Sequence, residues 1–175
     1  MGEPPSDPAW TTGEHGEVEE PPHPPPPLDL RVARVLEARA HPNADRLLVL
    51  IVDAGEPMPR QLVAGIAGKY APAELVGLDI VIVANLQPAK LRGEMSQGML
   101  LAGEDERGLG LLLAPDAQPG AHLSAPGLPA PADQITIDDF RRHELIADGD
   151  GMTIDGVRVE SPRVFIDRGV KGRLR

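Results

Sequence analysis

The chain has 175 residues, no cysteine and a formal net charge of −10 at pH 7. The lack of cysteine excludes disulfides, thiolate nucleophiles and cysteine-based zinc sites. No apolar run reaches the length of about 18 residues that a membrane helix needs, and no basic segment precedes an apolar one at the N-terminus. We therefore expect a cytoplasmic protein without a membrane span or a secretory signal.

Residues 1–27 are predicted to form a disordered acidic leader. They hold six acidic residues and nine prolines, no Lys or Arg, and almost no aliphatic side chains. Such a segment does not bury enough surface to fold alone. Its closing run of prolines favours a stiff polyproline spacer, and a ligand for a proline-recognition module is the alternative. The only tryptophan of the chain, Trp10, lies in this leader.

From Leu28 onward the pattern changes to short apolar strands separated by turn residues. We predict strands near residues 29–38, 46–54, 60–67, 79–85, 96–103 and 109–114, and a short helix around residues 73–76. This order predicts an all-β fold, a five-stranded Greek-key OB-fold barrel with a short helix, plus a small C-terminal β-rich extension. The predicted domains are the leader at 1–27, the barrel at 28–125 and the extension at 126–175. Periodicity alone does not separate an OB-fold from other small barrels.

Residues 85–101 are the most informative part of the chain, with the sequence NLQPAKLRGEMSQGMLL. They place amide, cation and hydroxyl groups on one connection between two apolar runs, which is typical of a binding loop. Glycines within it allow a partner's backbone to approach closely. The alternative is an ordinary solvated hairpin loop.

Three further segments accompany this signature in a fixed order: LDLRV at 28–32, HPNADRL at 41–47 and RQLVAGI at 60–66. Together the four segments resemble the tRNA-binding domain family. This OB-fold module is found at the C-terminus of methionyl-tRNA synthetases, in stand-alone tRNA-binding proteins and in the precursor of endothelial monocyte-activating polypeptide. The resemblance covers about residues 28–125. It implies a non-catalytic protein that grips the outer corner of folded tRNA and has an aminoacyl-tRNA synthetase as a candidate partner.

The resemblance also implies a set of tRNA-binding residues. In the signature and on the first loop these are Asn85, Lys90, Arg92, Ser96, Gln97, Met99, Asn43 and Arg46, and the secondary candidates are Lys69 and Tyr70. Several of them have a structural alternative. Asn43 is a good turn former, Met99 is more often a core residue than a contact, and Ser96 could simply satisfy a neighbouring backbone group.

Charge and aromatic content limit the mode of binding. Residues 28–125 hold 12 acidic and 9 basic residues, and Tyr70 is their only aromatic. The barrel therefore has too few aromatic side chains for bases to stack on, and recognition by shape and phosphate contact is favoured. Because the barrel is not basic overall, we expect modest and strongly salt-dependent affinity.

We find no pattern of catalytic residues and predict no metal or cofactor. The five histidines are scattered without ligand spacing. The DGDG sequence at 148–151 suggests a calcium loop, but Met152 and Val159 stand where oxygen ligands are required, so we interpret it as a turn.

The extension contains a strong hairpin signal, Asp155-Gly156 between β-rich arms, which favours a type I′ turn. The extension resembles the appendage of the monocyte-activating polypeptide branch, which mimics the second subunit of a dimer. This resemblance implies a monomer with a pseudo-dimer interface. The alternative is an accessory hairpin on a barrel that still forms homodimers.

Two other functions remain open at this point. One is a protein-assembly module that docks a synthetase, which the acidic composition favours. The other is a peptide-binding, export-type chaperone of the same fold, against which the C-terminal extension counts.

Overall fold

The computed structural model describes residues 23–148 and 150–175. Most of the predicted leader lies outside the described residues, so the prediction of disorder there stays a prediction. The described chain forms a barrel of mostly antiparallel strands followed by a β-rich extension.

The barrel is built from nine short strands and one helical turn. In chain order they are β1 (Leu30–Ala40), β2 (Leu48–Asp53), β3 (Arg60–Ala64), α1 (Pro72–Leu75), β4 (Asp79–Val83), β5 (Ala89–Leu91), β6 (Glu94–Ser96), β7 (Met99–Leu100), β8 (Ala102–Asp105) and β9 (Gly108–Leu113). The sheet path runs β9-β4-β1-β2-β3, with β7 paired to β4 and β8 to β9. The Gln97 N–H donates to the Gln61 carbonyl at 2.8 Å, which links β3 to the segment between β6 and β7. The predicted OB-fold is confirmed.

The predicted binding loop differs from a plain loop. Residues 89–96 form a two-stranded hairpin, β5 paired with β6, in which Leu91 lies opposite Glu94. Its two turn residues both have positive φ, +53° at Arg92 and +96° at Gly93, which is the signature of a type I′ turn. The sequence did not reveal this hairpin because Arg-Gly is not one of the usual type I′ pairs.

The predicted strand at 96–103 is wrong as one element, since it is divided among β6, β7 and β8.

The central strands are buried on both faces. In β4, Ile80 and Ile82 belong to the core inside the barrel, whereas Val81 and Val83 belong to a second core outside it. Strands β1 and β9 divide their apolar side chains in the same way. Burial on both faces explains why these strands are continuous apolar runs rather than alternating ones.

The extension supplies the other half of the outer core. It comprises α2 (Ile137–Arg141), β10 (Leu145–Ala147), β11 (Met152–Ile154), β12 (Val157–Arg158), β13 (Phe165–Ile166), a 3₁₀ turn (Asp167–Gly169) and β14 (Gly172–Arg173). The predicted type I′ hairpin is confirmed, since Asp155 and Gly156 have φ of +50° and +87° between paired strands β11 and β12. Its apolar side chains, among them Phe140, Met152 and Ile166, pack against the outer face of β1, β4 and β9.

The extension is also joined to the barrel through the backbone. Strand β13 pairs with β9, and Arg175 exchanges two backbone hydrogen bonds with Ala102, at 2.9 and 3.1 Å. The closest approach is at Gly110, where a Cβ atom would lie 2.0 Å from the Asp167 carbonyl oxygen. Only glycine allows the 3₁₀ turn to lie this close to β9.

The end of the predicted leader contacts the extension. The His143 ring lies 2.7 Å from the Pro26 carbonyl oxygen, and the Arg142 guanidinium donates to the His23 carbonyl. The chain therefore enters the described structure beside the C-terminal end of α2.

Because the two cores share one sheet, we expect barrel and extension to unfold together. Ile82→Ala in the inner core and Ile166→Ala in the outer core should each lower the free energy of unfolding by about 2–5 kcal/mol. Both variants should keep a single transition in circular dichroism and in calorimetry. The control is Ile137→Ala, whose side chain is 39% exposed and should cost little. Two separate transitions in the Ile166→Ala variant would contradict a shared folding unit.

Candidate nucleic-acid interface

The predicted site residues lie mainly on two segments that the fold brings together, the loop at residues 41–47 and the β5–β6 hairpin. Buried His41 joins them. The Asn43 N–H donates to His41 Nδ1 at 2.9 Å, so Nε2 carries the proton and donates to the Leu91 carbonyl at 3.0 Å. Arg92 donates from its guanidinium to the Asn43 carbonyl at 3.2 Å. These contacts fix the loop against the hairpin, and we call the joined pair the two-loop surface.

Three exposed cations lie on the two-loop surface: Arg46, Lys90 and Arg92. Among the described residues, none of the three has a carboxylate oxygen within 4.0 Å. One adjacent acid, Glu94, is engaged elsewhere, at 3.4 Å from the Arg39 guanidinium and 3.2 Å from the Gln61 amide, whereas Asp45 is exposed beside Arg46 on the loop. The surface therefore presents three cations that form no ion pair within the part of the chain that the structure describes.

Arg92 occupies a conformation that costs energy. Its φ of +53° places a long side chain in the left-handed region, which costs roughly 1 kcal/mol or more relative to glycine. Asparagine or aspartate would fit this turn position better. The turn thus retains a residue that its conformation does not favour.

Two of the predicted residues are engaged internally. The Asn85 amide accepts from the Asp29 N–H and donates to the Pro27 and Ala132 carbonyls, at 3.0 to 3.1 Å. The Ser96 hydroxyl donates to the Gly98 carbonyl at 2.8 Å and accepts from the Val63 N–H at 3.0 Å. Both residues are over nine-tenths buried. Their geometry gives them a positioning role at the base of the hairpin.

The other predicted residues of the signature lie between core and surface. Met99 is half-buried and packs against the outer core. Gln97 is exposed, but its side-chain oxygen accepts from the Gln61 N–H at 2.9 Å, and its carbonyl accepts from Arg60 at 2.8 Å. Among the predicted residues of the signature, the exposed positive charge is therefore carried by Lys90 and Arg92.

The two secondary candidates lie at a different place, where the barrel meets the extension. Tyr70 is buried, and its hydroxyl donates to the Asp167 carboxylate at 2.8 Å and accepts from the Leu111 N–H at 3.2 Å. The Arg168 guanidinium lies 4.1 Å from the centre of its ring. Burial first, and then the bond to Asp167, raise the pKa of Tyr70 to about 12. Lys69 is exposed, with its ammonium 3.8 Å from Glu104.

Sequence reasoning missed His41 and Arg39. His41 was one of five scattered histidines, and its role depends on a contact with Leu91, 50 positions away. The one signal available was its place at the head of the HPNADRL segment. Arg39 matters because it holds the Glu94 carboxylate.

Other kinds of site find no support in the part of the chain that the structure describes. Within residues 23–148 and 150–175, no helix is long and apolar enough to cross a membrane. The same residues hold no group of three or more His, Asp or Glu side chains placed to bind a metal ion.

An OB-fold barrel with a cationic loop surface is typical of modules that bind oligonucleotides. Residues 30–122 match the family model described as "Putative tRNA binding domain", and the chain belongs to this family. The chain is also 55% identical over 91 residues to a methionine–tRNA ligase of Thermococcus kodakarensis. That match covers 52% of this chain and 12% of the ligase, so most of the ligase has no counterpart in the matched region.

Two solved structures share the fold. The MetRS related protein from Pyrococcus horikoshii is 36% identical with a TM-score of 0.52, and the match covers 55% of this chain and 90% of that one. The C-terminal domain of Plasmodium vivax p43 has a TM-score of 0.75 at 24% identity, and the match covers 85% of this chain and 96% of that one. Because the p43 match covers so much of the chain, the likeness in fold includes the extension.

The role of His41 is tested by His41→Phe, which keeps a planar ring and removes both hydrogen bonds. We expect the free energy of unfolding to fall by about 1–3 kcal/mol and the Asn43 amide to exchange faster with solvent. Asn43→Ala is the matched control, because it leaves the backbone N–H in place. Unchanged exchange of the Asn43 amide in His41→Phe would contradict the role of His41 in joining the loop to the hairpin.

The environment of Tyr70 is open to a direct titration, because it is the only tyrosine of the chain. Phenolate absorbance should rise with an apparent pKa of about 12. Since this pKa is above the value for an unfolded chain, the contribution to stability is complete below pH about 10 and is lost as the pH rises toward 12. Asp167→Asn should move the pKa down, because the carboxylate raises it. If the apparent pKa of Tyr70 in the native protein equals that of tyrosine in an unfolded chain, the buried contact with Asp167 is contradicted.

Proposed function

We propose that this protein is a non-catalytic tRNA-binding module that recognises folded tRNA by shape and phosphate contacts. It acts in the cytoplasm and delivers the bound tRNA to an aminoacyl-tRNA synthetase. One observation carries this proposal: Arg46, Lys90 and Arg92 lie on two segments fixed to each other, without carboxylate partners among the described residues.

The proposed contacts divide by exposure. Lys90, Arg92 and Arg46 bind phosphates, while Asn43 and Gln97 add hydrogen bonds at the edge of the surface. Asn85, Ser96 and Met99 position the hairpin from below, which is supported by their burial and internal contacts. Lys69 lies apart from this surface, 3.8 Å from Glu104, and would make a secondary contact beside the extension.

Recognition of a folded RNA is supported by what the barrel lacks. Tyr70, the only aromatic of residues 28–125, is buried with its hydroxyl bonded to Asp167, so it is no platform for a base. A rigid pair of loops instead holds its cations at fixed spacing, which suits the fixed phosphate positions of a folded RNA.

We also propose that the protein is a monomer whose extension takes the place of a second subunit. The outer face of the sheet, including Leu30, Val81 and Leu112, is covered by apolar side chains of the extension. A barrel without this cover would need another chain there. In sedimentation, the protein should therefore have the mass of one chain, 18.6 kDa, over a wide range of concentration. A dimer that persists on dilution would favour the accessory-hairpin alternative.

The tRNA site is tested by binding titrations with bulk folded tRNA and with unstructured RNA of equal length, at several salt concentrations. We expect tighter binding to folded tRNA. Lys90→Ala/Arg92→Ala should weaken it and make the plot of log affinity against log salt shallower by about 2, roughly 1 for each lost phosphate contact.

The matched control is Arg158→Ala, because Arg158 is an exposed cation of the extension that pairs with Asp148 at 2.7 Å. Its salt slope should be unchanged. Equal binding by the Lys90→Ala/Arg92→Ala variant, or no binding at low salt, would reject this site and favour the protein-assembly function.

Arg92→Asn distinguishes the effect of the Arg92 charge on tRNA binding from the effect of the turn conformation on stability. Asparagine suits the left-handed conformation better than arginine, which offsets the loss of the hydrogen bond from Arg92 to the Asn43 carbonyl, so the variant should be about as stable as the parent protein. It should nevertheless bind tRNA more weakly, because one phosphate contact is lost. Unfolding by denaturant and the same titration check the two outcomes, and undiminished binding would show that Arg92 is not a contact.

A further inference from the structure

An apolar groove of about 650 Å³ lies beside the hairpin, between β3 and the extension. Its lining includes Leu91 of β5, Ile137 of α2 and Arg175. Leu91 and Ile137 are 38% and 39% exposed, so both present apolar surface at the groove. The groove therefore offers apolar surface that the described residues leave accessible.

The lining of the groove includes one residue, Gly65, whose backbone has no hydrogen-bond partner among the described residues. Strand β3 ends the sheet path, and the Gly65 that follows it is exposed and lines the groove. Exposed backbone of this kind pairs readily with an extended segment.

Cations lie at the rim of the groove. Arg175 lines it with its side chain 78% exposed, and the exposed residues Lys90 and Arg92 are the neighbours of Leu91 on the hairpin. The contact of Arg175 with Glu104, at 4.0 Å, is at the limit of an ion pair. An apolar segment with acidic flanks would match both the groove and its rim.

The chain itself contains such a segment outside the described residues. Residues 8–12, PAWTT, combine the only tryptophan with two β-branched threonines, and Asp7 and Glu14 flank them. Residues 1–22 hold six acids and no Lys or Arg, so their charge is complementary to the rim.

The attachment point places this segment within reach. The chain enters the described structure at His23, whose carbonyl is held by Arg142 directly after α2. The first residue of α2, Ile137, lines the groove, and a helix of five residues is about 7.5 Å long. Trp10 lies thirteen positions before His23, a distance of up to roughly 45 Å when the chain is extended. A tether of this length gives an effective concentration on the order of millimolar.

We propose that residues 8–12 of this chain bind in the groove, with Trp10 filling the apolar part and the acidic flanks facing Lys90, Arg92 and Arg175. This interaction goes beyond the proposed tRNA binding and does not depend on it. It makes the cationic rim a place where the leader and RNA phosphates compete.

The test uses fluorescence of Trp10 in the full chain without RNA, since no other tryptophan contributes. In the native protein we expect emission shifted to the blue and a lower quenching constant for acrylamide, both relative to the unfolded protein. Ile137→Asp should remove the shift by placing a charge in the groove. This substitution leaves the fold intact, because an acid is favourable in the first turn of a helix.

Val157→Asp is the matched control, because Val157 is also 39% exposed but lies on β12, outside the groove. Its Trp10 emission should equal that of the parent protein. Native emission at the unfolded position, or a shift that survives Ile137→Asp, would overturn the proposal. So would protection of Trp10 that is lost on dilution, since the groove would then hold the leader of a second copy.

Discussion

The structure depends on one sheet whose two faces are both buried. Alternate residues of β1, β4 and β9 belong to the core inside the barrel and to the core beneath the extension. Neither core is complete without this sheet, so the extension is an integral part of the fold. The glycine at position 110 is a consequence of the same constraint, because any side chain there would hold the extension away from β9. Two-sided burial thus sets both the composition of the strands and the position of the C-terminal residues.

The rigid sheet also positions the two-loop surface. Strands β1 and β2 deliver the loop at residues 41–47, and β4 leads into the connection that carries the hairpin. His41 then joins the two with hydrogen bonds that use both ring nitrogens. The backbone beneath the cations is therefore ordered before a partner binds, so that mainly their side chains lose conformational freedom on binding. The strain at Arg92 belongs to the same arrangement, since the turn places its guanidinium next to the Asn43 carbonyl.

Local patterns were enough to predict most of the barrel strands, the helix near Pro72 and the turn at Asp155-Gly156. The β5–β6 hairpin could not be predicted this way, because its turn residues are not a usual type I′ pair. The division of the signature into exposed and internal residues also could not be predicted. Asn85 is held by Pro27 and Ala132, which lie 58 and 47 positions away in sequence. A sequence motif contains both kinds of residue. Only the tertiary contacts show which residues position the loop and which face solvent.

The net charge of −10 is unexpected for a member of a family of tRNA-binding domains, but the potential at the two-loop surface depends on which charges lie near it. Several arginines of the barrel are held by carboxylates at short range, as in Arg31–Asp29, Arg34–Asp79 and Arg60–Glu56. Such pairs add little to the field outside the protein. The cations of the two-loop surface have no such partner among the described residues, and charges beyond about 8–10 Å are largely screened at physiological salt. A phosphate at this surface is therefore governed by the nearby unpaired cations and only weakly by the total charge of the chain.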